Sequence, residues 1–232
     1  MDPAQQEESK RNAGYHAAGM VKDGMVIGLG TGSTVFFAME RLGERIVGDD
    51  LSIAGVPTSH QAAIRARRYG IPLTSLDEHP ALDVAIDGAD QVDPDLRMIK
   101  GRGAALLREK CVCDAARAVV IVADPTKMVE VLNAPVPVEV LPFASTSVSR
   151  RLAALGARPA LREGVKKDGP IITDNGNFII DCDFGAIVDP EGLEAAVVAI
   201  PGVLECGLFS AYGERVTTIV GEDGGCRVVS LR

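Results

Sequence analysis

Apolar positions along this chain follow two alternating rhythms. Short apolar runs at Met25–Gly30, Leu51–Val56, Ala81–Ile86 and Ala118–Ala123 are each followed by a turn of Gly, Pro, Asp, Ser or Thr. Between them, apolar residues recur at helical spacing over Glu7–Val21, Val35–Arg45 and Gln61–Tyr69. Runs of the first kind read as buried strands and stretches of the second as amphipathic helices. Repeated strand–helix units predict a parallel sheet wound in the right-handed sense.

From Asn133 the texture changes. Ala134–Pro142 is a proline-bounded strand, followed by a helix over Ser147–Leu155, a strand over Ala160–Arg162 and a hairpin through Asp174-Asn175-Gly176-Asn177. A strand over Phe178–Cys182, a helix over Glu191–Ile200 and a strand over Val203–Leu208 complete a βαββαβ order. The tail, Arg215–Val220 and Arg227–Leu231 around Glu222-Asp223-Gly224-Gly225, reads as a hairpin that rejoins the first sheet. The expected fold is therefore α/β: an open, mostly parallel Rossmann-like sheet with a second, smaller α+β lobe of split βαβ, ferredoxin-like type. Residues 1–132 and 209–232 make the larger domain and 133–208 the smaller.

Chemistry-bearing residues collect where strands end. The run Gly28-Leu29-Gly30-Thr31-Gly32-Ser33-Thr34 is a strand, a glycine-rich turn and a helix start. That layout suits an anion, because backbone N–H groups and the positive helix end point at one place, and the hydroxyls of Thr31, Ser33 and Thr34 add donors. A well-capped strand-to-helix turn is the plainer reading. A dinucleotide site fits poorly: the last glycine comes one residue early, and the next strand ends in Pro57-Thr58-Ser59 instead of a ribose-binding acid. Further on, Asp87-Gly88-Ala89-Asp90 closes another strand, at the end of an open α/β sheet where ligands bind. A metal site, an acidic turn, or a polar pocket shared by Asp87, Asp90 and Lys100 are the available readings, and no His or Cys joins the acids. Asp124-Pro125-Thr126-Lys127 places another lysine beyond a strand end.

The stretch Met98–Lys110 stands out. A turn of Lys100-Gly101-Arg102-Gly103 opens into a helix on which Glu109, at about 100° per residue, falls among Ala105, Leu106, Val112, Cys113 and Ala116. A carboxylate in an apolar stripe is costly to bury, and desolvation raises its proton affinity, which suits a proton shuttle. A buried structural ion pair suits the same position, and the helix alone is compatible with both. Arg65, Arg67 and Arg68 read as a solvated face, His60 as a cap or surface residue, and Glu194 and Glu205 as peripheral.

Composition narrows the classes. A net charge of −8 argues against a phosphate-backbone binder, and the absence of Trp against a base-stacking surface, so no nucleic acid partner is expected. No apolar run reaches the roughly 18 residues of a membrane span, and the polar, acidic N-terminus is unlike a secretory signal. The five cysteines, odd in number and scattered, read as buried free thiols in a reducing cytoplasm. The three histidines have no mutual spacing suited to a metal.

Taken together, these motifs resemble ribose-5-phosphate isomerase of type A over nearly the whole chain. The likeness rests on Gly28–Thr34, Asp87–Asp90, Met98–Lys110, Ala123–Lys127, Pro137-Val138-Glu139-Val140 and Thr173–Asn177, in order and at compatible spacing. It implies an aldose–ketose isomerase that interconverts D-ribose 5-phosphate and D-ribulose 5-phosphate through an enediolate, in the non-oxidative pentose phosphate pathway, with no metal or organic cofactor. By the same resemblance Glu109 is the proton acceptor, and Asp87, Asp90 and Lys100 hold the sugar phosphate; their chemistry also suits them as further catalytic groups, Lys100 for an oxyanion and the two acids for orienting hydroxyls, relaying the O1/O2 proton or assisting ring opening. Thr31, Gly32, Ser33, Thr34, Gly88, Ala89, Gly101, Arg102, Gly103 and Lys127 hold the sugar phosphate, and Lys10 matches a further phosphate-side lysine. A homo-oligomer, dimer or tetramer, is implied, with the small lobe as its oligomerisation domain, as is a cytoplasmic location. Arg102 is a departure, since many members carry glycine there. An acyl-CoA transferase, with Glu109 as covalent nucleophile, shares the architecture, but this chain is short for that job. A sugar-phosphate sensor would need an effector domain, and no basic helix-turn-helix segment is visible.

Overall fold

Asp2 opens the first helix, α1 (Pro3–Met20). Its carboxylate accepts from the Gln5 N–H while the Gln5 side chain reaches back to the Asp2 N–H, a capping box with proline in the first turn. The helix therefore starts a turn before the Glu7 expected from apolar spacing. The computed structural model describes residues 2–231. After α1 come β1 (Val26–Leu29), α2 (Ser33–Gly48), β2 (Ala54–Pro57), α3 (His60–Arg68), β3 (Leu82–Gly88), β4 (Gln91–Val92), β5 (Met98–Ile99), α4 (Leu106–Ala115) and β6 (Ala116–Ala123). They are followed by β7 (Val136–Val140), α5 (Ser145–Ala154), β8 (Arg158–Leu161), β9 (Phe178–Asp183), α6 (Pro190–Val198), β10 (Val203–Cys206), β11 (Leu208–Phe209), β12 (Val216–Glu222) and β13 (Gly225–Ser230). None of the described helices is long and apolar enough to cross a membrane.

The chain divides into two units: Met1–Ala89, Arg108–Met128 and Tyr212–Arg232 in the first, Asp90–Leu107 and Val129–Ala211 in the second. In the first, six strands lie in the order β13-β12-β6-β3-β1-β2. All neighbours are parallel except β12 with β13, which form the C-terminal hairpin. Helices pack on buried strands rich in β-branched residues, as a parallel sheet requires. Ile27, Leu29, Val35, Leu42, Ile86, Val120 and Ile219 belong to one core. The chain winds outward from β1 to β2, then crosses to β3 and β6 on the other side of β1. This reversal makes a crevice at the carboxyl ends of β1 and β3, the usual ligand position in open α/β sheets.

In the second unit β7-α5-β8-β9-α6-β10 folds into a four-stranded antiparallel sheet of order β10-β7-β9-β8. Val138, Val148, Leu152, Ile180, Val197 and Cys206 lie in its core. Two features depart from the expected pattern. Residues 90–107 group with this unit, through the small sheet β11-β5-β4. The strand expected over Val203–Leu208 breaks at Gly207, so that β10 pairs with β7 and β11 with β5. The Gly207 N–H donates to Pro137 O at 2.7 Å and its carbonyl accepts from Lys100 N–H at 2.8 Å. A Cβ there would lie 2.2 Å from Lys100 O, so only glycine serves both sheets.

The cysteines are only partly as expected. Cys113, Cys182 and Cys206 are buried, but Cys111 is exposed on the outer face of α4 and Cys226 is half-buried, its Sγ 3.1 Å from His16 Nδ1.

Candidate active site

The first unit builds its part from backbone geometry. β1 runs into Gly30, whose N–H donates to Ile86 O at 2.9 Å. A Cβ at Gly30 would come within 2.1 Å of Asp87 Oδ1, so the glycine lets the loop close over that carboxylate. Asp87, at the end of β3, is 2% exposed. Its Oδ1 accepts from Gly88 N–H at 2.7 Å and Thr31 N–H at 3.3 Å. The Thr31 hydroxyl lies 2.9 Å from Thr58 Oγ1 and 2.7 Å from Ser59 Oγ, and Ser59 caps α3 through Ala62 N–H. Apolar periodicity gave no sign of this link between the loops after β1 and β2.

No side chain caps the first turn of α2, so its amide groups stay open to an anion. Beside it a cavity of about 360 Å³ is lined by Ser33, Lys10, Phe36, Glu40, Arg65 and Tyr69, among others. Lys10 and Ser33, distant in sequence, thus share one wall. Arg65 does not belong to the solvated face expected of it: its guanidinium packs 4.7 Å from the Phe36 ring centroid, while Arg67 and Arg68 are exposed. His60, the first residue of α3, is exposed.

Glu109, in the first turn of α4, is 4% exposed, and Val112 and Cys113 are buried with it. The apolar stripe carrying a carboxylate is therefore real. Helix α4 lies close to β1, since a Cβ at Gly28 would meet Val112 Cγ1 at 2.3 Å. After β6, buried Asp124 caps the short 3₁₀ turn Pro125–Lys127 by accepting from Thr126 N–H at 3.0 Å, and its other oxygen accepts from Gln6 Nε2 at 3.2 Å. Lys127 ends this turn and forms no ion pair with the described residues.

The second unit holds Asp90, Lys100 and Arg102. Asp90 N–H donates to Ile99 O at 2.8 Å, and Asp90 Oδ2 accepts from Arg102 N–H at 3.0 Å. The Arg102 side chain is 82% exposed, with Nε 3.8 Å from Asp90 Oδ1, so its firm contact with Asp90 is through the backbone. Lys100 is 2% exposed and its Nζ lies 5.4 Å from the Phe209 ring centroid. Phe209 and Gly207 were invisible as Lys100 partners, because about a hundred residues intervene. Gly101 and Ala104 both take left-handed backbone angles, φ 103° and 59°, and Ala104 N–H donates to Gly101 O at 2.9 Å. This holds Ala104 out of the helix, which starts at Leu106. Elsewhere in this unit Glu194, Glu205 and Cys206 bring ligand-type atoms within 4.8 Å of one another, and Glu194 Oε2 accepts from Ser210 N–H at 3.0 Å. The two acids read as peripheral are thus neighbours.

Sheet and loop define a class: open α/β proteins with a phosphate-type loop and a buried carboxylate at the switch point of the strands. Comparison narrows this further. Residues 54–225 match the family model of ribose 5-phosphate isomerase A (phosphoriboisomerase A). The chain is 60% identical to ribose-5-phosphate isomerase A of Methanoregula boonei over 96% of its own length and 93% of that protein's. The structure of ribose 5-phosphate isomerase A from Methanocaldococcus jannaschii matches with a TM-score of 0.93 at 42% identity, covering 97% of this chain and 100% of that one. A D-ribose-5-phosphate isomerase solved in complex with phospho-erythronic acid matches with a TM-score of 0.94 at 45% identity over 100% of both chains. This chain belongs to the ribose 5-phosphate isomerase A family.

Proposed function

We infer that this protein is an aldose–ketose isomerase that interconverts D-ribose 5-phosphate and D-ribulose 5-phosphate, in the non-oxidative branch of the pentose phosphate pathway. Kinship along almost the whole chain, including a relative solved with a phosphorylated sugar acid, carries this reading.

The chemistry assigned to each residue follows from its type and setting. In the open-chain aldose the proton on C2 is acidified by the C1 carbonyl. Glu109 takes it as the C–H electrons form the C1–C2 double bond and the carbonyl oxygen gains the negative charge. Delivering a proton from the Glu109 carboxyl to C1, after exchange with solvent in a fraction of turnovers, with the C2 oxygen becoming the carbonyl, completes the reaction. One carboxylate serves both acts, and burial of Glu109 supports its use as a base. Lys100 stabilises the enediolate oxyanion, a charge that is absent from the bound substrate and develops in the transition state, and the buried stem of this lysine limits its motion. Asp87 and Asp90 orient hydroxyls and relay the proton between O1 and O2. Thr31, Gly32, Ser33 and Thr34 bind the sugar phosphate with Gly88, Ala89, Gly101, Arg102, Gly103, Lys127 and Lys10. The uncapped start of α2 and the shared wall of Lys10 and Ser33 support a phosphate there. The reaction uses no metal or organic cofactor, and the protein acts as a homo-oligomer in the cytoplasm.

A coupled assay for ribulose 5-phosphate, run in deuterated water, tests the reading. Turnover that persists in chelator, with solvent deuterium entering C1 or C2, is the expected result. Absence of ribulose 5-phosphate would sink the assignment, and loss of activity restored by a divalent ion would contradict the cofactor-free mechanism.

A further inference from the structure

The turn that carries Lys100 is held open by awkward backbone. Gly101 and Ala104 are both left-handed, and for Ala104 that conformation is sterically unfavourable. Such a turn keeps its shape only when its surroundings over-determine it. One side chain dominates those surroundings. Arg162, just past the end of β8, donates through Nη1 to Gly101 O at 3.1 Å and Arg102 O at 2.9 Å. Its remaining edge faces Asp181 on β9, with Nε 2.8 Å from Oδ2 and Nη2 on Oδ1. The backbone of Arg162 is pinned as well, by Arg162 N–H to Ile179 O and Ile171 N–H to Arg162 O, both 2.9 Å. Only 16% of its side chain is exposed.

This arrangement needs a planar fork. A guanidinium presents donors on two edges at once, one pair matching a carboxylate and the other free for carbonyls; an ammonium is a single point charge. We propose that Arg162, oriented by Asp181, is a positioning residue for the isomerisation: it clamps the Gly101–Arg102 carbonyls and thereby fixes the backbone from which Lys100 projects. The proposal rests on the reading of Lys100 as the group that stabilises the oxyanion. A displacement of about 1 Å at such a group costs on the order of a hundredfold in rate.

The test is a double-mutant cycle on the full chain, with kcat, KM and the thermal midpoint measured for Arg162→Lys, Lys100→Met and the pair. Arg162→Lys is expected to lower kcat by at least about tenfold with KM changed less than about threefold, and to add no further loss in the Lys100→Met background. Unchanged kcat in Arg162→Lys, or the same fold loss in both backgrounds, overturns the proposal, because a merely structural role acts equally with or without Lys100. Wild-type kcat in Lys100→Met instead removes the Lys100 reading itself, so the two failures are distinct. If Arg162→Lys does not fold, Asp181→Asn enters the same cycle with the same expectations.

Discussion

The two units solve the problem of holding charged groups in opposite ways. In the parallel-sheet unit, main chain does most of the holding: Asp87 is gripped by the amides of Thr31 and Gly88, and the start of α2 offers bare N–H groups. In the antiparallel unit, long-range side-chain contacts do most of it, Asp90 with its Arg102 amide being the exception. Glu139, fully buried on β7, gathers Thr173 Oγ1 at 2.8 Å, Asn175 Nδ2 at 3.0 Å and Asn177 Nδ2 at 2.8 Å on its Oε1. Arg162 and Asp181 form a second such cluster. Strand ends of a parallel sheet all open on one edge, so backbone groups converge there without help. An antiparallel lobe has no such edge, and its turns must be tied by long-range polar contacts.

The contrast can be broken by substitution. The largest effect is expected at Glu109: Glu109→Gln lowers kcat by about 10³-fold or more while the shape of the carboxyl is kept. Near-normal turnover would remove it as the base. Next comes Gly30→Ala, whose methyl group must displace Asp87; kcat/KM falls by about a hundredfold, with a stability loss of about 1–3 kcal/mol by denaturant titration. Wild-type kinetics would show that Asp87 does not depend on the glycine. In the antiparallel unit the leading effect should be on folding instead. Glu139→Ala leaves three side-chain donors without their acceptor and destabilises by about 3 kcal/mol; a loss under about 1 kcal/mol would show that the cluster is dispensable.

The smallest effect separates the thiols. Burial, with Asp181 and Cys206 nearby, pushes the Cys182 thiol up to about 12, whereas Cys111 is exposed. At pH 8 iodoacetamide is expected to label Cys111 and spare Cys182 in native protein, read by peptide mass. Because an unfolded thiol ionises near pH 9 and Cys182 only near 12, its contribution to stability is complete below the first value and lost as pH rises through the second. Native labelling of Cys182 would show that the lobe opens locally.

Much of the parallel-sheet unit was legible because its signals are local. The strand runs, the glycine loop and the buried stripe around Glu109 all lie within a few residues of what they control. Boundaries moved where local capping outweighed apolar spacing, as at Asp2, or where backbone angle intervened, as at Ala104. Burial of all five cysteines was misjudged because Cys111 sits one position away from the apolar stripe, a difference of about 100° on the wheel.

Periodicity, turn chemistry and charge along the chain were enough to determine the mostly parallel sheet with its C-terminal hairpin, the βαββαβ lobe and the identity of the acids and lysines at strand ends. Only the tertiary structure decided how those residues are held. Arg162 reaches a turn 60 residues earlier in sequence, and Gly207 joins Pro137 to Lys100 across two sheets. Such contacts have no repeating spacing to betray them. They form because buried carbonyls and charges must find partners once water is excluded, and the packed chain settles which partners are near.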